Sequence, residues 1–529
     1  MEGRVAAARL TLLVPFFFVA ISKAISGTAA GDDVDGGFDV RRHLSTVTRY
    51  GVVGGTINAE FVPSDVPQGC NPIHLNLVSR HGTRAPTKKR MRELDRLADH
   101  LEELVRGAEE MKLSTDKVPG WLKGWSSPWK KKVKGGELIV KGEEELYDLG
   151  LRVRERFPEL FSEEYHPDVY TVKATQVPRA SASAVAFGVG LFSGKGTLGL
   201  GKHRAFAVTS ESRASDIMLR FYDCCENYKD FRKKQEPAVD KLKEPILNEI
   251  TGALIKRYQL NFTRQDAASL WFLCKQEASL LDITNQACAL FSKDEIALLE
   301  WTDDLEVFIL KGYGKSLNYR MGVPLLRDVL QSMEEAIKAY EENYAPGSYE
   351  KARLRFAHAE TVVPFTCLLG LFLEGAEFEQ IQVEKPLPLP PKPPKRRNWR
   401  GSSVAPFAGN NMLVLYSCPT SSSKKYFVQV LHNEHPIPMP GCNNTDFCSL
   451  EVFKENVAGP HLQHDYDSIC NAKAAEVVEE PATGLHSLFH YPVFDSHAKA
   501  SCTDMVEGSF FAPSILIRER VSISSSRHS

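Results

Sequence analysis

Alternating apolar and polar positions first stand out between residues 73 and 77. Ile73, Leu75 and Leu77 are apolar, and His74 and Asn76 lie between them. Because successive side chains of a strand point to opposite sides, this alternation predicts a strand that is half-buried on one face. Functional groups of open α/β sheets lie at the carboxyl ends of strands, so the residues that follow this strand are candidates for chemistry.

The same patterns predict further elements along the chain. Apolar residues at helical spacing predict a helix over 92–106, and residues 226–344 are largely helical with long charged faces. Two more strands, each followed by a helix, and one hairpin are also expected. They are a strand at 170–175 with a helix capped by Ser181 or Ser183, a strand at 353–356 with a helix at 361–372, and hairpin strands at 412–416 and 426–431.

Strands that alternate with helices favour an α/β fold, and the long helical block favours an insertion. We expect an α/β core in two parts, residues 45–225 and 345–475, with a mainly helical inserted domain at 226–344. Residues 25–45 are predicted to form a poorly ordered leader, and residues 476–529 a poorly ordered tail.

The amino terminus has the pattern of a secretory signal peptide, assigned to residues 1–24. Arg4 and Arg9 precede an apolar run at 10–21, and small residues follow. The run is too short to span a bilayer. An uncleaved anchor is the alternative, but we expect no integral membrane segment after cleavage.

Composition narrows the function classes. The chain has 529 residues, 43% of them hydrophobic and 25% charged, with a formal net charge of −2. A nucleic-acid-binding protein needs a broad basic face, so we expect no nucleic-acid partner and only a local anion site. The eleven cysteines include no CxxC pair, which favours disulfides over zinc. Asn261 and Asn443 begin glycosylation sequons.

The candidate chemistry begins at Ser79-Arg80-His81-Gly82-Thr83-Arg84-Ala85-Pro86-Thr87. Phosphomonoester hydrolysis needs charge neutralisation, an in-line nucleophile and protonation of the leaving oxygen. A histidine between two arginines meets the first two needs, because the imidazole attacks phosphorus while guanidiniums hold the phosphoryl oxygens. The alternative is a basic turn that merely ends the strand.

Two other segments supply candidate groups. Arg179 precedes the helix expected near Ser183, where backbone N–H groups favour an anion, although a surface arginine has the same pattern. His358 and Glu360 are two residues apart after a predicted strand and project to the same side in extended chain. One can hold a phosphate oxygen while the other donates the leaving-group proton, although a lone histidine is more often structural.

The first motif resembles that of the histidine acid phosphatases, and the His-Ala-Glu form of the second resembles the multiple inositol polyphosphate phosphatases among them. The resemblance extends from about residue 52 to residue 471 and implies a doubly wound α/β core. It implies His81 as nucleophile, Glu360 as proton donor, and Arg80, Arg84, Arg179 and His358 as phosphate contacts, with no cofactor or metal. Ala85 departs from the aromatic residue of many relatives.

The resemblance also implies a disulfide pattern. Expected pairs are Cys70–Cys418, Cys225–Cys470, Cys274–Cys288 and Cys442–Cys448, with Cys224, Cys367 and Cys502 unpaired. The first pair would close a loop long enough to stabilise the fold by about 4 kcal/mol or more. Reducing agent is therefore expected to lower thermal stability before it affects the chemistry.

Basic runs near the nucleophile indicate the substrate. Thr87 and Lys88 are weaker candidates for substrate contacts at the start of the run 88–90, and residues 130–134 form a second run. Such runs can hold the other phosphates of a polyphosphate, or they can be solvated basic faces. Tryptophans at 121, 125 and 129 are interpreted as packing residues.

The expected function is therefore that of a secreted acid phosphatase on inositol polyphosphates such as phytate. A broader acid phosphatase for bisphosphoglycerate or sugar phosphates is the nearest alternative. An inactive inositol-phosphate-binding protein is another. The expected compartment is extracellular, vacuolar or the ER lumen, and no oligomeric state is predicted.

Overall fold

The computed structural model describes residues 38–52, 61–390, 392–394, 397–419 and 425–471, so the predicted signal peptide and tail lie outside the described residues. One mixed sheet contains all seven strands in the order β2-β3-β1-β4-β5-β6, and β7 also pairs with β5. The strands are β1 Asn71–Arg80, β2 Tyr170–Ala174, β3 Ala352–Ala357, β4 Asn410–Ser417, β5 Tyr426–His432, β6 His435–Pro436 and β7 Phe447–Ser449.

Helices alternate with the strands along the chain, as predicted. The longer ones are α1 Lys88–Glu110, α2 Val140–Arg156, α3 Pro178–Leu191, α5 Glu226–Tyr258, α6 Arg264–Gln276, α7 Lys293–Lys311, α9 Val323–Glu341 and α10 Ala359–Leu368. The shorter ones are α4 Phe221–Cys224, α8 Ser316–Arg320, α11 Gly375–Gln382, α12 Gly401–Val404, α13 Leu450–Val452, α14 Gly459–Leu462 and α15 Tyr466–Cys470.

Strands β1, β2 and β3 are parallel, β4 runs antiparallel to β1, and β5 runs antiparallel to β4. In register, Arg80 lies opposite Ala357, and Phe356 lies opposite Ala174. Parallel strands carry their carboxyl ends to the same edge of a sheet. The residues after β1, β2 and β3 therefore meet at one place.

Helices cover the sheet on both faces, which confirms the doubly wound α/β core. Leu75 and Leu77 of β1 pack with α2 and α3 on one face, while Ile73 and Val78 pack in the larger core with α9 and α10. Helices α2 and α3 approach closely at Gly150, where a Cβ atom would lie 2.2 Å from the carbonyl oxygen of Phe187.

The expectation that β1 is half-buried is wrong, because α9 covers the face that carries the polar residues. His74 and Asn76 are fully buried. The Asn76 side chain donates to Ser332 Oγ of α9 at 3.0 Å, and His74 Nε2 lies 3.3 Å from Glu350 Oε2. Buried polar side chains of this kind are stable because each has a partner.

The helical block divides between two cores. Helices α5, α6 and α7 form a separate core with α1, whereas α8 and α9 pack into the core of the sheet. The tryptophans of the segment before α2 take the predicted packing role: Trp129 is buried, and Trp121 and Trp125 pack against that helical core.

Two local expectations need correction. Helix α3 begins at Pro178 rather than near Ser183, because proline suits the first helical position and Val177 precedes it in extended conformation. The end of the predicted leader is ordered, with 3-10 helices at Val40–His43 and Ser45–Val47. Ser45 Oγ donates to the buried Asp304 carboxylate at 2.6 Å, which fixes this segment against α7.

Four disulfides join the expected cysteine pairs, 70 with 418, 225 with 470, 274 with 288 and 442 with 448. Cys367 is a free, buried thiol, as expected. Cys224 is disulfide-bonded, so its predicted unpaired state is wrong. Cys502 lies outside the described residues. Throughout the described part of the chain, helices are too short or too polar to cross a membrane.

Candidate active site

The functional candidates lie where the three parallel strands end. The backbone N–H of His81 donates to the Ala357 carbonyl at 3.0 Å, and that of Thr175 donates to the Phe356 carbonyl at 3.1 Å. The segments after β1, β2 and β3 are therefore extensions of one hydrogen-bonded ladder. This arrangement brings the first motif, the region before α3 and the second motif together.

The loop after His81 is held by α2 at very short distances. A Cβ atom on Gly82 would lie 2.2 Å from the Gly142 carbonyl oxygen, so only glycine fits there. The Glu145 carboxylate accepts from the Thr83 backbone N–H at 2.8 Å and from its hydroxyl. Ser183 Oγ accepts from the Gly82 N–H at 3.1 Å. The loop is thus fixed before any ligand binds.

His81 is buried and oriented by a backbone carbonyl. Its Nδ1 lies 2.9 Å from the Gly82 carbonyl oxygen, which can only accept, so Nδ1 carries the proton. Burial, followed by the charges of Arg179 and Arg80, lowers the pKa of His81 well below its usual value. The imidazole is therefore neutral, and Nε2 keeps a free lone pair.

Three arginines surround this histidine, and none of them forms an ion pair with a carboxylate among the described residues, although the charge of Glu360 acts on each from a distance. The Nε atoms of Arg80, Arg84 and Arg179 are buried and have no hydrogen-bond partner among the described residues. Burial and then the neighbouring arginines lower the pKa of Arg80 to about 9 and that of Arg84 to about 10. Unpaired buried cations are costly, and such a cluster suits a bound anion.

Arg80 is nevertheless firmly placed. Its Nη1 donates to the carbonyl oxygens of Thr46 at 2.5 Å and Ala405 at 2.8 Å. Its guanidinium lies over the Phe407 ring, 4.4 Å from the centroid, which adds a cation–π contact. The Phe407 ring also lies 6.0 Å from the His81 ring.

His358 lies beside the nucleophile, with 5.5 Å between the two ring centroids. Its Nε2 is 2.9 Å from Thr175 Oγ1, and its Nδ1 is 3.4 Å from Arg179 Nη2. A guanidinium can only donate, so Nδ1 accepts in this arrangement. Burial and then Arg179 lower the pKa of His358 well below its usual value, so this ring is neutral as well.

Glu360 lies in the first turn of α10 and forms an ion pair with Lys311, the last residue of α7, at 2.8 Å. Burial raises the pKa of the Glu360 carboxyl, but Lys311 and then His358 lower it by more, so it lies well below its usual value. Glu360 is ionised in this arrangement.

The weaker candidates lie at the rim. Thr87 is exposed, and a Cβ atom on Gly136 would lie 3.9 Å from both Thr87 Cγ2 and Arg179 Nη1, so these side chains border the same space. Lys88 is exposed at the start of α1, and no described contact joins it to the arginines. The segment 136–138 pairs with the nucleophile loop, and the lysines of 130–134, which precede this segment in the chain, are exposed.

The two predicted glycosylation sites are accessible to solvent. Asn261 and Asn443 are both exposed, as acceptors of a glycan must be. No cluster of three or more possible metal-ligating side chains occurs among the described residues.

Sequence reasoning missed several residues of this site. Thr175 closes the predicted second strand, so the strand-end argument would have found it. Glu145 is a charged residue within an amphipathic helix, and Phe407 follows a proline in a loop. Thr46 contributes only its backbone, and Lys311 lies 49 positions before Glu360, so neither leaves a local pattern.

Comparison with known proteins places this geometry in a family. The sequence model of the histidine phosphatase superfamily (branch 2) matches residues 73–433. Multiple inositol polyphosphate phosphatase 1 of Gallus gallus is 28% identical over 407 residues, which cover 74% of this chain and 84% of that protein. The Homo sapiens protein of the same name is 26% identical over 421 residues, covering 75% and 82%.

Solved structures show the same fold. The phytase from D. castellii has a TM-score of 0.62 at 19% identity, covering 85% of this chain and 93% of that one. A Bifidobacterium longum multiple inositol polyphosphate phosphatase in complex with inositol hexasulfate has a TM-score of 0.57 at 19% identity, covering 79% and 98%.

Proposed function

Since the chain belongs to branch 2 of the histidine phosphatase superfamily and is a phosphoric monoester hydrolase, we propose that it removes phosphates from inositol polyphosphates, phytate included, through a phosphohistidine on His81. No metal takes part, because arginines supply the positive charge. The observation that carries the proposal is the free Nε2 of His81 among three arginines whose Nε atoms have no partner.

The reaction needs two displacements. The Nε2 lone pair attacks phosphorus, the bond from phosphorus to the ester oxygen breaks, and that oxygen takes a proton from the protonated Glu360. Water then attacks the phosphohistidine, gives a proton to Glu360, and the P–N bond breaks to release phosphate. Arg80, Arg84 and Arg179 neutralise the phosphoryl oxygens in both steps.

His358 supports the same phosphate. The Thr175 hydroxyl can donate as well as accept, so its 2.9 Å contact is compatible with either tautomer of His358. When a phosphate replaces the ring as the partner of Arg179, His358 turns to the tautomer with a proton on Nδ1. That N–H then donates to a phosphate oxygen.

Two further observations support the substrate class and the compartment. The relatives named multiple inositol polyphosphate phosphatase 1 align with about three quarters of this chain at 26–28% identity, and the exposed lysines of 88–89 and 130–134, in segments next to the nucleophile loop, suit a substrate with several phosphates. Four disulfides, two exposed sequons and the signal-like amino terminus support passage through the secretory pathway. Thr87 and Lys88 are placed at the rim as contacts for phosphates not under attack.

The test is phosphate release from phytate at mildly acidic pH with a chelator present. Wild type, His81→Ala and a control, His166→Ala, are compared, since His166 is exposed and distant in the fold. We expect release that survives the chelator, is lost in His81→Ala and persists in the control. Loss with the chelator contradicts the metal-free mechanism. Activity on an aryl phosphate but not on phytate indicates the broader phosphatase, and no activity on either indicates a binding protein.

The role of Glu360 has its own test. An aryl oxide leaves without protonation, whereas the alkoxide of inositol does not. Glu360→Ala is therefore expected to reduce phytate hydrolysis by about 10²-fold or more relative to aryl phosphate hydrolysis. Equal losses on both substrates would reject Glu360 as the proton donor.

A further inference from the structure

The ion pair between Lys311 and Glu360 joins two parts of the fold at the mouth of the site. Lys311 ends α7, a helix of the helical core, and Glu360 starts α10, which packs on the sheet. The Nζ–Oε1 distance is 2.8 Å, and the side chains are 17% and 30% exposed. Both ends of the pair are thus within reach of a ligand that enters the site.

This contact conflicts with proton donation. A donor must carry a proton, but a carboxylate held by an ammonium gives up its proton more readily. Lys311 is the one cation in contact with the Glu360 carboxylate among the described residues. The arrangement without substrate therefore holds Glu360 in the wrong protonation state for the first step.

Other charged groups act on Glu360 from the elements around it, without contact. They are Arg80 at the end of β1, Arg84 in the loop that follows, Arg179 of α3, Tyr222 and Asp223 of α4, Tyr228 and Arg232 of α5, and His358. The arginines of the cluster become neutralised when a phosphoryl group binds among them. Lys311 is not part of that cluster, so the phosphate under attack does not by itself release it.

We propose that Lys311 senses a second phosphate on the substrate: a phosphate next to the one under attack draws the Lys311 ammonium away from Glu360, which then takes up its proton and becomes the donor. A lysine suits this exchange, because its compact charge sits on a flexible stem and a phosphate carries more charge than a carboxylate. This role rests on the proposed function, and it makes Lys311 the residue that favours polyphosphates over isolated monoesters.

The other lysine pairs of α7 offer a control. Lys275 of α6 binds Asp303 of α7 at 2.6 Å and is 11% exposed, similar to Lys311. Neither partner contacts the residues of the site. Lys275→Met therefore removes a comparable half-buried pair from the same helix without touching Glu360.

The experiment measures kcat against pH for phytate, an alkyl monophosphate and an aryl monophosphate. The kcat profile reports the pKa of the donor in the enzyme–substrate complex. In wild type, the decline at high pH should come at higher pH for phytate than for the alkyl monophosphate, since only phytate removes Lys311. In Lys311→Met the two profiles should coincide, because the alkyl-monophosphate decline moves upward.

The same variant should lower the ratio of kcat/KM for phytate to that for the alkyl monophosphate by about tenfold or more, which is about 1.4 kcal/mol. Aryl phosphate hydrolysis should change less than the hydrolysis of the alkyl monophosphate, because its first step needs no donor and only the second step, shared by all three substrates, uses Glu360. Lys311→Arg should restore part of the ratio, and Lys275→Met should behave as wild type.

Two outcomes count against the inference in different ways. A wild type that hydrolyses aryl phosphate but not phytate refutes the proposed function and, with it, the inference. A wild type that is active on phytate, with a Lys311→Met variant whose ratio and profiles do not change or whose activity falls equally on all three substrates, overturns the inference alone.

Discussion

The sheet carries two groups of arginine and histidine side chains, and in the described part of the chain only one of them forms ion pairs with carboxylates. The strand-end cluster consists of Arg80, His81, Arg84, Arg179 and His358, and it forms no ion pair with a carboxylate among the described residues. The sheet-face cluster consists of His74, Arg353 and Arg355 with Asp328, Glu335 and Glu350; both of its arginines form ion pairs with carboxylates, and His74 Nε2 lies 3.3 Å from Glu350 Oε2.

The pairing in the sheet-face cluster is extensive. Arg355 is fully buried, and its Nε donates to Asp328 at 2.9 Å while its Nη1 donates to Asn76 at 2.9 Å. Arg353 donates to Glu350 at 2.8 Å. A buried cation that is paired within the protein holds the fold together, and one left without a carboxylate is set aside for a ligand.

The largest expected effects are a loss of activity from a substitution in the strand-end cluster and a loss of stability from one in the sheet-face cluster. Arg84→Met is expected to lower kcat by about 10²–10³-fold, because it removes a donor to the transition state. Its free energy of unfolding should change by less than about 1 kcal/mol, since among the described residues the side chain makes one hydrogen bond, to the Ala85 carbonyl. Arg355→Met should cost about 1–3 kcal/mol of stability, because Asp328 keeps Arg353 but loses its other arginine and Asn76 loses a donor, while kcat of the folded protein persists.

Denaturant titrations and steady-state kinetics on both variants provide the measurement. The distinction between the clusters would be refuted by either of two results. One is an Arg355→Met variant that keeps its free energy of unfolding but loses kcat, and the other is an Arg84→Met variant that loses stability but keeps kcat.

Anion binding should stabilise the protein through the strand-end cluster. At about one hundred times its dissociation constant, inorganic phosphate is expected to add about 2.7 kcal/mol to the free energy of unfolding. The effect should be much smaller in Arg84→Met and undiminished in Arg355→Met. Chloride at equal ionic strength is the control, and equal stabilisation by both salts would contradict a specific site.

The pKa of His81 predicts how stability depends on pH. It is lowered in the folded state, so the unfolded chain binds more protons and stability falls as pH drops below the unfolded value of about 6.5. The loss from this group between pH 7 and pH 5 is up to about 2 kcal/mol. In His81→Asn that part of the loss should be absent, and an unchanged pH dependence of unfolding would show that His81 is not held neutral.

The smallest effect is expected at the exposed edge of the sheet-face cluster. Glu335 pairs with Arg353 at 3.2 Å and is half-exposed. Because exposed pairs contribute little, Glu335→Ala should cost less than about 1 kcal/mol and leave kcat unchanged. A larger loss in thermal unfolding would mean that the carboxylates of this cluster act as one network.

The residues of the strand-end cluster could be predicted from the sequence, whereas those of the sheet-face cluster could not. Arg80 ends a strand, and His81 and His358 directly follow strands, whose alternation is visible in the sequence, so the strand-end argument finds all three. The sheet-face cluster escapes it, because Asn76 and His74 look solvent-facing until α9 covers them. Lys311 and Thr46 reach the site from remote segments, and their contribution arises only from packing.

The hydrogen bond from Arg80 to the Thr46 carbonyl limits how far the chain can be shortened at its amino-terminal end. The stretch matched by the family model begins at residue 73 and ends at residue 433, yet an acceptor for Arg80 comes from before it and the disulfide partner of Cys225 comes from after it. An expression design trimmed to that stretch keeps every motif residue and loses both supports. A shortened enzyme that keeps both supports therefore begins before Thr46 and continues past Cys470.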